Sequence, residues 1–129
     1  MKIKKIETTG APAAVGPYSQ GTETEHFIFV SGTLPVDSKT GKVVEKDIKI
    51  QTDRVIENLK AVLGAAGSGL DKVVRCDVFL QDMNDFKDMN AVYASKFVTE
   101  PKPARQAVEV VKLPLAGALI EISCIAYKG

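Results

Sequence analysis

Residues 47–81 read DIKIQTDRVIENLKAVLGAAGSGLDKVVRCDVFLQ. In the first part Val55, Ile56, Leu59, Val62, Leu63 and Ala66 recur at helical spacing, with Asp53, Arg54, Glu57, Asn58 and Lys60 between them. The spacing predicts a helix from about Asp47 to Ala66, stopped by Gly67 and Gly69. From 72 to 81 the period falls to two. Val74, Cys76, Val78 and Leu80 share one face, while Val73, Arg75, Asp77, Phe79 and Gln81 share the other. A helix running straight into an alternating strand makes the fold mixed α and β.

Working outward, HFIFVS at 26–31 reads as a strand and residues 3–7 as an opening one. DSKTG at 37–41 is turn chemistry, and KVV after it returns as a short strand. A second helix is expected from about Asp85 to Val98, carried by Phe86, Met89, Tyr93 and Phe97 and capped by Asn84. Strands near 104–112 and 118–127 close the chain. Two helices cover one sheet face, assigned to Val108, Val110, Ile120, Ile122, Cys124 and Ala126. The opposite face carries Arg105, Ala107, Glu109, Val111, Leu113, Glu121, Ser123, Ile125 and Tyr127, joined by Arg75 and Phe79. It is too apolar for a solvated face, and a second copy of the chain in a closed symmetric oligomer is the expected cover.

The chain has 129 residues, 45% hydrophobic and 26% charged, the scale of one domain spanning 1–129 with a core of its own. Lys+Arg 17 against Asp+Glu 16 gives no electrostatic drive toward nucleic acid or anionic membrane. No apolar run suits a signal sequence or a membrane span, so a cytoplasmic protein is expected. Cys76 and Cys124 sit in apolar runs and read as buried free thiols.

The only histidine, His26, excludes HExxH and Ser-His-Asp constellations within one chain. His and Cys are too few and too scattered for a zinc site. GAAGSG at 64–69 ends a helix, whereas a phosphate cradle opens one. What remains is a few polar residues in unusual places. Arg105 follows Pro-Lys-Pro-Ala and by alternation shares the partner-seeking face with Glu121. The pattern leaves two readings open: a structural Arg–Glu pair, or an arginine that binds an anionic ligand. On pattern alone Tyr18, Ser31 and Gly32 read as turn and cap residues, and Asn90 as an exposed helix residue.

PARQAVEVVKLPLAGALIEI (103–122) resembles the signature of the RidA family, also called YjgF or L-PSP. The likeness extends to APAAVGPYSQG (11–21), FVSGTLPVD (29–37), the AAG turn (65–67) and DVFLQDMNDFKDMNAVYASKF (77–97), nearly the whole chain in order. It implies a chorismate-mutase-like α+β domain with a mixed sheet and two helices on one face. It also implies a homotrimer whose sheets form a central barrel with ligand clefts between subunits. Well-studied members hydrolyse enamines and imines such as 2-aminoacrylate and 2-iminobutyrate to 2-keto acids and ammonia.

The family's motif arginine falls on Arg105 and its motif glutamate on Glu121. Its other site positions fall on Tyr18, Ser31, Gly32 and Asn90. Ala107, where many bacterial members carry cysteine, is counted with the substrate-binding residues and excludes a thiol mechanism at that position. Lys102, Gln106 and Val111 depart from the signature, and Lys102 bears on substrate range. The implied roles are Arg105 gripping the substrate carboxylate as a planar fork and Glu121 steering water onto the imine carbon. No cofactor or metal is expected, since the imine is already electrophilic. Two rival functions stand beside deamination: a regulator that binds keto or imino acids at the same cleft without turnover, and an endoribonuclease or translation inhibitor, an activity attributed to some relatives. The second is disfavoured by the balanced charge, the lone histidine and 6% aromatics.

Overall fold

The structure is a computed structural model that describes residues 2–129. Its strands are β1 (Lys4–Ile6), β2 (Gly21–Glu23), β3 (Phe27–Thr33), β4 (Val73–Leu80), β5 (Ala104–Glu109) and β6 (Ile120–Tyr127). Two α-helices, α1 (Ile48–Ala65) and α2 (Phe86–Lys96), lie between β3 and β4 and between β4 and β5. The strands form one six-stranded sheet in the order β1-β2-β3-β6-β4-β5. Only β4 and β5 pair in parallel, because α2 carries the chain back across one sheet face.

The boundaries of α1 follow from local chemistry. Asp47 caps it by accepting from the Lys49 and Ile50 backbone N–H groups at 2.9 and 3.1 Å. At the other end Gly67 takes φ +78°, which frees Gly67 and Ser68 N–H to bond the Gly64 and Leu63 carbonyls. The helix buries Val55, Ile56, Leu59 and Leu63 completely. They meet Ile28, Val78, Ile120 and Ile122 from the sheet and Met89 and Tyr93 from α2 in one core. Each fully buried aliphatic side chain contributes about 1.5–3 kcal/mol by leaving water.

Of the three buried polar residues on α1, Thr52 bonds within the helix and the other two reach neighbouring loops. Asn58 donates to the Leu34 and Val36 carbonyls at 3.1 and 2.9 Å. Gln51 donates to Gly117 O at 2.9 Å and accepts from Leu119 N at 2.7 Å. These side chains replace water for the backbone of the loops flanking the end of β3 and the start of β6.

The structure corrects the sequence reading in several places. KVV forms no strand; Val43 makes only an isolated bridge to Val36. Asn84 caps nothing: Asp82 accepts from the Asn84 N–H at 2.9 Å, and a short 3-10 turn at Met83–Asp85 leads into α2. Near the start of β4 a register shift exchanges the faces, so that Val73 is buried and Val74 is exposed.

The largest correction concerns β5. Arg105 pairs with Cys76 and Ala107 with Val78, which turns both residues toward the helices and Val108 away from them. On β6, Ile120, Ile122, Cys124 and Ala126 face the helices as expected, leaving Glu121 on the opposite face. Arg105 and Glu121 therefore stand on opposite faces of the sheet within one chain.

Candidate active site

Glu121 stands at the edge of a cavity of about 610 Å³. The loop before β2 contributes Tyr18, the end of β3 contributes Ser31 and Gly32, and Pro114 and Leu115 supply an apolar wall. The β3–β6 register slips between Val30 and Thr33. This bulge inserts an extra residue where Ser31 and Gly32 pass β6, a device that re-aims side chains beside a site. Ser31 is anchored from both sides. Its N–H donates to Gln20 O at 3.0 Å and its hydroxyl to Ser19 O at 2.6 Å, leaving the hydroxyl lone pairs as acceptors. The Tyr18 hydroxyl accepts from Val15 N at 3.3 Å, keeping its own proton to donate.

Gly32 exists for space. A Cβ built there would lie 2.9 Å from Glu121 Oε2, so the carboxylate rests on bare backbone. No cation among the described residues pairs with Glu121, and burial alone lifts its pKa above the usual glutamate value.

Arg105 is held elsewhere. It lies on the edge strand β5, half-buried, with Nη1 donating to Asn90 Oδ1 at 2.6 Å. Its guanidinium carbon lies 4.8 Å from the centre of the Tyr93 ring and 5.6 Å from that of Phe86. No carboxylate of the described residues forms an ion pair with it. Cys76, paired with it across the strands, is a buried thiol pushed up to about 11 chiefly by burial, so it stays neutral at physiological pH. Ala107 packs against the core two residues along and offers no chemistry of its own.

The residues singled out from the sequence thus fall into two groups. Tyr18, Ser31, Gly32 and Glu121 share the cavity; Arg105, Asn90 and Ala107 stand together on the helix side of β5. The structural Arg105–Glu121 pair, one of the two readings the pattern left open, is absent within the chain. The sequence pattern marks Phe86 and Tyr93 only as core residues of the second helix. Their signal was their spacing around Asn90, at i, i+4 and i+7, which puts all three on one helix face.

Among the described residues no helix is long and apolar enough to cross a membrane, and no group of three or more His, Cys, Asp or Glu could hold a metal.

The sequence profile of the family described as Endoribonuclease L-PSP matches residues 8–128. A RutC family protein of Pyrococcus horikoshii is 54% identical over 123 residues, covering 95% of this chain and 96% of that protein. A 2-iminobutanoate/2-iminopropanoate deaminase of Salmonella typhimurium is 44% identical over 128 residues, covering 97% and 98%. Among solved structures, a member of the conserved Rid protein family from Yersinia pestis superposes with a TM-score of 0.94 at 42% identity, covering 98% of this chain and 99% of that one.

Proposed function

The chain belongs to the RidA/L-PSP family, and on that footing we propose that it is a hydrolytic deaminase of small 2-imino acids. Its substrates are 2-iminobutyrate and 2-aminoacrylate, the latter as the 2-iminopropanoate formed when an N–H proton is exchanged for one on its terminal carbon; its products are the 2-keto acid and ammonia. The observation that carries the reading is the state of Arg105. A half-buried guanidinium held by an amide oxygen and two ring faces, with no side-chain carboxylate paired to it, is suited to take a substrate carboxylate.

In this reading the substrate carboxylate takes two hydrogen bonds from the Arg105 fork, which fixes the imine carbon. Glu121 orients a water against that carbon and accepts its proton as the C–O bond forms. The imine nitrogen takes a proton from solvent as the C=N bond becomes single. Glu121 then returns its proton to the amine; the C–N bond breaks, ammonia leaves, and the hydroxyl gives its proton to solvent as the ketone forms. The raised pKa of Glu121 brings its two protonation states closer in energy, as a group that both accepts and donates requires. Tyr18 and Ser31 offer further hydrogen bonds to the substrate or the water. No cofactor enters the scheme.

Since Arg105 and Glu121 lie on opposite faces of one sheet, the reaction requires Arg105 of one copy beside Glu121 of another. The uncovered face supports such an assembly. It exposes Phe29, Tyr127 and Val108 at 41%, 42% and 37%, an apolar surface suited to a further copy of the sheet. The family's homotrimer with clefts between subunits is the arrangement we propose.

RNA cleavage, named in the family's description, has less support here. The formal charge is +1 and the single histidine is exposed. Binding without turnover differs from the deaminase reading at Glu121. The test generates 2-aminoacrylate with a serine dehydratase and follows keto-acid formation with wild type, Arg105→Ala and Glu121→Ala. Acceleration by wild type and its loss in both variants supports the deaminase; equal rates in all three overturn it. An unaccelerated wild type that still binds pyruvate through Arg105 indicates the regulator.

A further inference from the structure

We infer that Tyr93 and Phe86 are positioning residues that clamp the Arg105 guanidinium in its carboxylate-binding pose. The inference rests on the deaminase reading only for what Arg105 binds; the clamp itself stands on geometry. Phe86, Asn90 and Tyr93 share one face of α2 and meet the guanidinium together, the Tyr93 ring at 4.8 Å, the Phe86 ring at 5.6 Å and Asn90 Oδ1 at 2.6 Å. Tyr93 is itself fixed, buried and packed against Phe97 with ring centres 4.5 Å apart and planes tilted by 32°.

Two physical consequences follow. An arginine on an edge strand ordinarily samples many rotamers, and ordering it on binding weakens affinity; here that entropy is lost at folding instead. The choice of partners matters as well. A ring face attracts a cation through its quadrupole and an amide through its dipole, but neither neutralises it. An Asp or Glu in either position would hold Arg105 equally well and compete with the substrate carboxylate. The buried Tyr93 hydroxyl lies beside the Cys76 thiol and makes no hydrogen bond to Arg105 or Asn90. The role therefore belongs to the ring and not to the phenol.

The experiment compares wild type with Tyr93→Phe, Tyr93→Leu and Phe86→Leu in the intact assembly. It measures pyruvate Kd by calorimetry, kcat and KM on 2-aminoacrylate, and the Arg105 Nε–Hε resonance by NMR, assigned through Arg105→Lys. Removing either ring is expected to raise KM and pyruvate Kd about tenfold with kcat little changed. The Arg105 resonance is expected to lose its ring-current shift. Tyr93→Phe should match wild type in every readout. Phe86 lies nearer the surface than Tyr93, so its variant decides the matter if Tyr93→Leu does not fold. Unchanged Kd and an unmoved resonance in folded ring-deleted variants would overturn the clamp. Loss of both in Tyr93→Phe would overturn it too, by assigning the role to the hydroxyl. A wild type without turnover or pyruvate binding defeats the deaminase reading while the resonance still judges the clamp.

Discussion

The Glu121 carboxylate lies across Gly32 so closely that a Cβ there would stand 2.9 Å from Oε2 and 3.0 Å from Cδ. The glycine is required by this approach and not by its backbone angles, which lie outside the positive-φ region. A serine or alanine at this position would lift the carboxylate off the end of β3 and out of line with the cavity.

Gly32→Ala tests that contact. Displacing a general base by about 1 Å costs on the order of 100-fold in rate. We expect a loss of that size in kcat/KM for 2-aminoacrylate, with a thermal midpoint close to wild type, because a half-exposed carboxylate can swing aside without disturbing the core. A normal rate would mean that Glu121 need not occupy this position.

The pKa of Glu121 makes a prediction about stability. Burial raises it in the folded state, so the fold favours the protonated form. The stabilisation is present in full below the unfolded pKa and is lost as pH rises through the folded one. Glu121→Gln keeps a neutral side chain at every pH. Its unfolding free energy relative to wild type should therefore rise between pH 4 and pH 7, as followed by urea denaturation.

Arg105→Lys keeps the charge and removes the planar fork. A lysine ammonium cannot make two parallel bonds to one carboxylate, nor stack between two rings. KM is expected to rise about tenfold or more, for the loss of one charged hydrogen bond. Steady-state kinetics on 2-iminobutyrate, with calorimetric pyruvate binding beside them, read the change directly.

Complementation between copies tests the composite site. Arg105→Ala and Glu121→Ala chains, each inactive alone, are co-refolded at equal amounts. If every site takes Arg105 from one copy and Glu121 from another, random mixing leaves about a quarter of sites with both residues intact. Recovery of activity near that level is expected. Continued inactivity of the mixture, with the oligomers shown by mass to have exchanged, would place both residues in one chain's site.

Gln51 bears on the apolar wall. It is fully buried and fastens the loop after β5 through Gly117 O and Leu119 N. Gln51→Leu removes two part-buried hydrogen bonds, at about 0.5–1.5 kcal/mol each. Chemical denaturation should show a loss in that range. Hydrogen exchange at Leu119 should quicken.

Much of this protein was written plainly in its sequence. The α1 periodicity, the Asp47 and Gly67 boundaries, the alternation of β6 and the family signature at 103–122 are local patterns. Each depends on neighbours within a few positions, so a linear reading recovers them. The sequence could not fix the phase of β5. Alternation sorts Arg105 and Ala107 from Gln106 and Val108 but does not say which pair faces inward, and the apolar Val108 suggested the wrong answer. The parallel register with β4 decided it by setting Arg105 against Cys76. The register slips near Val73 and Ser31 are also tertiary, since a bulge forms only when a strand is laid against its partner. The residue types for the chemistry were therefore set by local sequence, whereas the separation of Arg105 from Glu121 was set by strand pairing, because a sheet's two faces are distinguished only by what packs against them.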